Sequence, residues 1–284
     1  MDIKVGIIGG TNLDSPDIIK DRKELSFEPQ EVDLAKNGKP ADYGIPSGSL
    51  ISGCISGVEC ILLARHGANH SVNPTNVSYR ANLLALQQLG CNVVLAMHAV
   101  GSLKEEFAPG HFVVLEQVID RTTKRDNTYY DGAESSWKGV CHIPFSDPYD
   151  ASLRTILHTV GESIGITIHS ASTLVCIEGP RFSSRAESKM FQLWGADTIG
   201  MTEMPEVALA NELGIPFAAV GMITDYDCWR QGEEAVSVEN VMRVAQENNE
   251  KFIKLLNSAV VEISKQKELW SGPQINKGMF PGSD

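Results

Sequence analysis

Short apolar runs separated by polar, glycine-containing turns recur along the whole chain. Seven have strand length: residues 3–8, 50–55, 59–64, 92–97, 112–119, 172–177 and 217–223. Several are unbroken Val/Ile/Leu-type runs, the pattern of strands covered on both faces. Between them the period lengthens to that of a helix. Residues 76–89 place Val77, Ala81, Leu84 and Ala85 on one stripe. Residues 152–164 repeat Leu153, Ile156, Leu157, Val160 and Ile164 at helical spacing. Residues 203–213 carry a proline near the first turn and stop at Gly214. Residues 237–265 predict one long helix, with Ser237 as its cap and Val238, Val241, Ala245, Phe252, Ile253, Leu256 and Val260 as its apolar face.

Strand, helix, strand in succession predicts a three-layer α/β fold with a largely parallel sheet. Neither a repeat nor a linker divides the chain, so residues 1–284 read as a single domain. The Gly/Pro/Ser-rich residues 37–49 read as a long loop. Residues 270–284 are turn-rich and expected to form a loose tail.

Composition acts mainly by exclusion. With 24 Lys and Arg against 36 Asp and Glu, the formal charge is -12, and no basic run interrupts it. That argues against nucleic acid or an anionic membrane as partner. The longest apolar stretch, 217–223, is far short of the roughly 20 residues that span a bilayer. The first residues hold no secretory core, so the expected location is the cytoplasm, or the nucleus. The six cysteines lack any C-x-x-C spacing, and Cys60, Cys91 and Cys176 sit in apolar runs. They are expected to be reduced thiols, several in the core.

Ligands of open α/β sheets bind beyond the carboxyl ends of the strands. At those ends stand Gly9-Gly10-Thr11, Arg65-His66, His98-Ala99, the segment 178–184 and Thr224-Asp225-Tyr226-Asp227. Gly9-Gly10-Thr11 with Arg65 suits a small oxyanion. It equally fits a tight turn and a surface salt bridge. Asp225 and Asp227 point to one side if the backbone stays extended, and paired carboxylates at a pocket can divide acid and acceptor roles. The other reading is one turn cap and one solvated aspartate. Three further patterns mislead. Gly161-x-Ser163-x-Gly165 follows a helix pattern rather than a strand, so it is no nucleophile elbow. His66 and His70 have the spacing of a zinc-binding helix without its glutamate. Gly6, Gly9 and Gly10 do not form a dinucleotide fingerprint.

Eight segments occur in order: VGIIGGT (5–11), LLARHG (62–67), IDRTT (119–123), YYDG (129–132), GVCHIP (139–144), IEGPRFSSRAES (177–188), MTEMPE (201–206) and TDYDCW (224–229). Over about residues 3–265 the chain thereby resembles the methylthioadenosine-cleaving branch of the trimeric purine nucleoside phosphorylase family. The resemblance implies a three-layer α/β/α sandwich around a mixed, partly barrel-like central sheet, assembled as a homotrimer. It implies phosphorolysis of 5'-methylthioadenosine to adenine and 5-methylthioribose 1-phosphate, with inorganic phosphate as co-substrate and neither metal nor organic cofactor. Carried over residue by residue, phosphate would meet Thr11, Arg65, His66, His98, Ala99 and Thr202. Phe182, Ser183, Met201 and Thr224 would line base and sugar. Asp225 would protonate N7 of the leaving base, with Asp227 accepting from the 6-amino group or supporting Asp225. The methylthio group would meet Val238, Val241 and Met242, with His142 reaching in from a neighbouring subunit; Met242 fits ordinary helix core as well.

The chain also departs from that pattern. His98 stands where the family commonly has Thr, Asn12 replaces a Gly, Glu203 follows Thr202 where a small hydroxyl residue is common, and the stretch around 43–48 is longer. A protonated His98 would strengthen phosphate binding. The competing readings are an adenosine or 6-oxopurine nucleoside phosphorylase, a non-catalytic nucleoside-binding protein and a dinucleotide-binding oxidoreductase.

Overall fold

The computed structural model describes residues 3–10, 18–27, 41–230 and 236–270. Nine strands form one sheet: β1 (Lys4–Gly9), β2 (Lys20–Leu25), β3 (Leu50–Ile55), β4 (Val58–Ala64), β5 (Val93–Ser102), β6 (Phe112–Arg121), β7 (Ile168–Ile177), β8 (Thr198–Gly200) and β9 (Phe217–Asp225). Six α-helices accompany them: α1 (Tyr79–Gln88), α2 (Ala151–Ser163), α3 (Arg185–Leu193), α4 (Glu203–Glu212), α5 (Val238–Glu247) and α6 (Asn249–Lys265). The sheet runs β2-β3-β4-β1-β5-β8-β7-β6-β9, and β9 returns to pair with β5. Strands β5, β8, β7, β6 and β9 therefore close into a five-stranded barrel, with β1 to β4 as an open extension. The sheet is mixed rather than largely parallel. β1 pairs in parallel with β4 and β5, while β5–β8, β6–β9, β2–β3 and β3–β4 are antiparallel.

The apolar runs are continuous because both faces are covered. On β5, Val93, Leu95 and Met97 enter the core shared with α2 and α6, while Val94 and Ala96 enter the core shared with α1 and α4. On β9, Ala218, Val220 and Met222 take the first face and Phe217, Ala219 and Ile223 the second. This period of two aims His98 at the α4 side of the sheet, which decides its partners.

Three elements lie outside the predicted set. β2 (KDRKEL) is almost wholly charged and exposed, an edge strand defined by its pairing with β3 and by nothing in its own pattern. β8 has three residues. α3 buries only Ser188 and Phe191, and its start is signalled by a capping box of Ser184 and Glu187 inside the 177–188 segment. The predicted helix over 237–265 is two helices. At Asn248 the backbone leaves helical geometry, and the Asn248 amide donates to Val244 O at 2.9 Å. Ser237 caps α5 by accepting from Asn240 N. α2 is capped one turn earlier than its apolar stripe, by Asp150, which accepts from Leu153 N at 2.8 Å. Residues 41–49 carry neither helix nor strand. The expected tail beyond Trp270 and the first part of the expected 37–49 loop lie outside the described residues. Gly165, at φ 77, closes α2, in keeping with the rejected nucleophile elbow.

Candidate active site

The carboxyl ends of β1, β4, β5, β7 and β9 surround a cavity of about 620 Å³. It brings together Arg65, His66, His98, Ala99, Phe182, Ser183, Met201, Thr202, Thr224, Asp225, Asp227, Val238, Val241 and Met242. His142 is exposed and is not among the lining residues of this chain. Thr11 and Asn12 lie outside the described residues.

The wall below Ala99 is charged and closed. Arg65, only 1% exposed, donates from Nε and Nη2 to Glu206 Oε1 and Oε2, both at 2.8 Å, and from Nη1 to Met97 O at 2.9 Å. Sequence reasoning left Arg65 between an oxyanion fork and a surface salt bridge. The structure instead makes it half of a buried bidentate ion pair that also lines the cavity. The partner was missed because Glu206 is 141 residues away.

His98 Nε2 lies 3.2 Å from Arg65 Nη2. Arginine can only donate, so Nε2 accepts and the ring hydrogen belongs on Nδ1. Nδ1 faces Thr202 Oγ1 at 3.0 Å and Glu203 Oε1 at 3.1 Å. Burial, followed by the charges of Arg65 and His66, pushes the His98 pKa well below its ordinary value. The expectation of a protonated His98 is therefore corrected: the ring is neutral, because it is desolvated beside a fixed cation. Glu203 is fully buried too. Burial raises its pKa to about 7; Arg65 opposes the rise and Glu206 adds to it.

His66 donates from Nδ1 to Val72 O at 2.8 Å and stacks on His70 at 4.1 Å. Burial and then the Arg65 charge bring its pKa down to about 4, so it is neutral near pH 7. His66 and His70 stack rather than converge, and among the described residues no group of three or more His, Cys, Asp or Glu could hold a metal ion.

At the end of β9 the chain turns instead of staying extended. Asp227 has φ 47, and its N–H donates to Asp225 Oδ1 at 2.8 Å. The two carboxylates meet the cavity through this turn, not through the alternation expected from an extended strand. Asp225 Oδ2 also accepts from Thr224 Oγ1 at 2.7 Å. Burial raises the Asp227 pKa. Opposite Asp225 in the register stands Gly101, where a Cβ would come within 3.0 Å of Asp225 Oδ1. Glycine there makes room for the acid.

The 178–184 segment is tied down by Glu178, which accepts from Arg125 Nε at 3.0 Å and Thr123 N at 2.6 Å. It presents Phe182 and Ser183 to the cavity. Ser183 Oγ is buried without a hydrogen-bond partner among the described residues. α5 supplies the remaining wall, with Val238 and Met242 exposed in this chain and Val241 partly so. Sequence reasoning missed Ser71, Asn73, Pro74, Ile199 and Phe252 as site residues, and they also line the cavity. Ser71, Asn73 and Pro74 lie within seven residues of the end of LLARHG, and that position was the available signal.

Comparison with known proteins agrees with this geometry. A profile of the Phosphorylase superfamily matches residues 4–261. The chain is 49% identical over 263 residues to S-methyl-5'-thioadenosine phosphorylase of Xenopus tropicalis, covering 92% of this chain and 89% of that protein. It is 47% identical over 274 residues to the Drosophila melanogaster enzyme of the same name, covering 96% and 90%. Among solved structures, methylthioadenosine phosphorylase from Schistosoma mansoni in complex with adenine superposes with a TM-score of 0.82 at 36% identity, covering 93% of this chain and 92% of that one. With the matching profile spanning nearly all of the sheet and its helices, the chain belongs to the Phosphorylase superfamily.

Proposed function

We propose that the protein cleaves 5'-methylthioadenosine with inorganic phosphate, giving adenine and 5-methylthioribose 1-phosphate. The observation that carries the reading is the joining of three kinds of wall in one cavity: strand-end donors around Ala99 and Thr202, the Asp225–Asp227 pair, and the apolar face of α5. The similarity to enzymes named for this substrate supports it.

The chemistry follows from the walls. Phosphate would lie against Thr11, His66, the Ala99 N–H, Thr202 and the one Arg65 N–H not directed at Glu206, Met97 or His98. Its charge stabilises the oxocarbenium-like sugar before an oxygen attacks C1'. The leaving adenine gathers negative charge, which a proton on N7 neutralises. Asp225 is the donor in this reading. Its carboxylate accepts from Thr224 Oγ1 and from Asp227 N. Asp227, pushed toward its acid form by burial, is the neighbour able to hold the proton beforehand. An acceptor facing the 6-amino group favours adenine over 6-oxopurines, because the wrong base leaves buried polar groups unpaired. Met201, Phe182, Ser183 and Thr224 line sugar and base.

The reading extends to a homotrimer in which a neighbouring subunit, through His142, covers the exposed part of α5, and to a cytoplasmic or nuclear enzyme of purine and methionine salvage. It needs phosphate as co-substrate and no further cofactor. Incubation with 5'-methylthioadenosine, with and without phosphate, tests it. Adenine should appear only with phosphate, while inosine stays intact. Equal adenine release without phosphate, or preferred cleavage of inosine, overturns it. Sedimentation at micromolar concentration tests the trimer.

A further inference from the structure

The Arg65–Glu206 pair is complete in itself, yet two more ionisable groups are buried against it. They are His98, on β5, and Glu203, the first residue of α4. Their side chains meet at 3.1 Å, both almost fully enclosed. Both Glu203 oxygens are buried, and the backbone N–H groups of Thr202 and Glu203 near the carboxyl oppose the rise in pKa that burial causes without cancelling it. Glu203 fits because residue 200 is glycine: a Cβ on Gly200 would lie 2.9 Å from Glu203 Oε2. His98 Nδ1 thus has two neighbours for one hydrogen, Thr202 Oγ1 at 3.0 Å and Glu203 Oε1 at 3.1 Å.

We propose that His98 and Glu203 are a positioning pair behind the phosphate wall, in which protonation of Glu203 decides whether His98 Nδ1–H is given to Thr202. With Glu203 as the acid, Nδ1–H is donated to Thr202 Oγ1, and the threonine O–H is turned into the cavity as a donor. With Glu203 ionised, the carboxylate takes Nδ1–H. Thr202 then loses its orientation, and a buried negative charge stands behind the anion site. Both changes weaken phosphate binding as pH rises, and by linkage phosphate binding takes up a proton. The inference rests on the reading of this wall as a phosphate site.

The groups facing Glu203 do not remove the effect. Arg65 stabilises its anion, but Glu206 already holds that cation. Cys176 and Tyr149 are buried with pKa values raised by desolvation, so both stay neutral. His66 and His98 are held neutral by burial beside Arg65. Glu203 is left as the group titrating near neutrality in this wall.

Calorimetric titration with inorganic phosphate from about pH 6 to about pH 8.5 decides the matter without relying on turnover. The proteins are wild type, Glu203→Gln and the double variant His98→Thr/Glu203→Ser, which removes both ionisable groups together, leaves a hydroxyl at each position and guards against misfolding of the single variant. Phosphate's own titration is common to all three, so the ratio of wild type to variant isolates the wall. The wild-type Kd should rise about tenfold more than that of either variant, from one buried charge near the anion. Proton uptake, read in buffers of different ionisation enthalpy, should occur in wild type and be lost in both variants. Parallel pH profiles, equal proton uptake, or no phosphate binding by wild type overturns the proposal. Phosphate-dependent adenine release, assayed separately, keeps failure of the phosphorolysis reading distinguishable from failure of this one.

Discussion

Behind Ala99 and Thr202 the cavity wall is a set of enclosed ionisable groups around the Arg65–Glu206 ion pair, with Arg65, His98, Glu203 and Glu206 all buried and in contact. On α5 the wall of the same cavity is Val238 and Met242, the first 62% exposed and the second 39%. The charged wall is built within one chain, because a guanidinium and a carboxylate removed from water must satisfy each other before any ligand arrives. The apolar wall has no such requirement. Its side chains bury little area here, and a ligand or neighbouring chain can cover them later at small cost. The two walls should therefore fail differently: the first through stability, the second through selectivity.

The sharpest break is Glu206→Ala, which strands Arg65 as an unpaired buried cation. A loss of about 3–5 kcal/mol in denaturant-derived stability is expected. Replacing both partners together by apolar residues should cost less, even though phosphate binding is lost. Next comes Asp225→Asn at the rim, where folding should be nearly unaffected. Its kcat should fall about 100-fold or more, because the variant amide cannot pass a proton to the leaving base.

A third test uses pH. Glu203 has a folded pKa of about 7 against an ordinary 4.5. The folded protein therefore holds this proton more tightly than the unfolded chain. The associated stability is fully present below about pH 4.5 and is lost as pH rises to about 7. The loss is on the order of 3 kcal/mol. In Glu203→Gln this component of the pH dependence of chemical denaturation should vanish. The smallest effect belongs to the apolar wall. Val238→Ser should change stability by less than about 0.5 kcal/mol, yet raise KM for methylthioadenosine relative to adenosine. A large loss of stability there would mean that α5 is part of the core and would erase the contrast.

The strands legible from apolar runs include all five whose ends surround the cavity, because strands covered on both faces are apolar along most of their length. β2 was invisible because an edge strand can be charged at every position and still form its ladder. The break at Asn248 was hidden because both halves share one apolar face. Among site residues, the strand ends, the TDYD segment included, were readable as chemistry, and MTEMPE only through the family resemblance. Their states were not. His98 read as a cation and is neutral; Asp225 and Asp227 read as an extended pair and meet through a turn.

By itself the sequence determined the α/β class, the seven apolar strands and the kinds of group at their ends, because these follow from periodicity and residue type. Tertiary structure decided which ends converge, the closing of β5 to β9 into a barrel, and the pairing of Arg65 with Glu206. It also decided the charge of each buried group. Protonation depends on desolvation and on neighbours more than a hundred residues away, and neither is written in any local pattern.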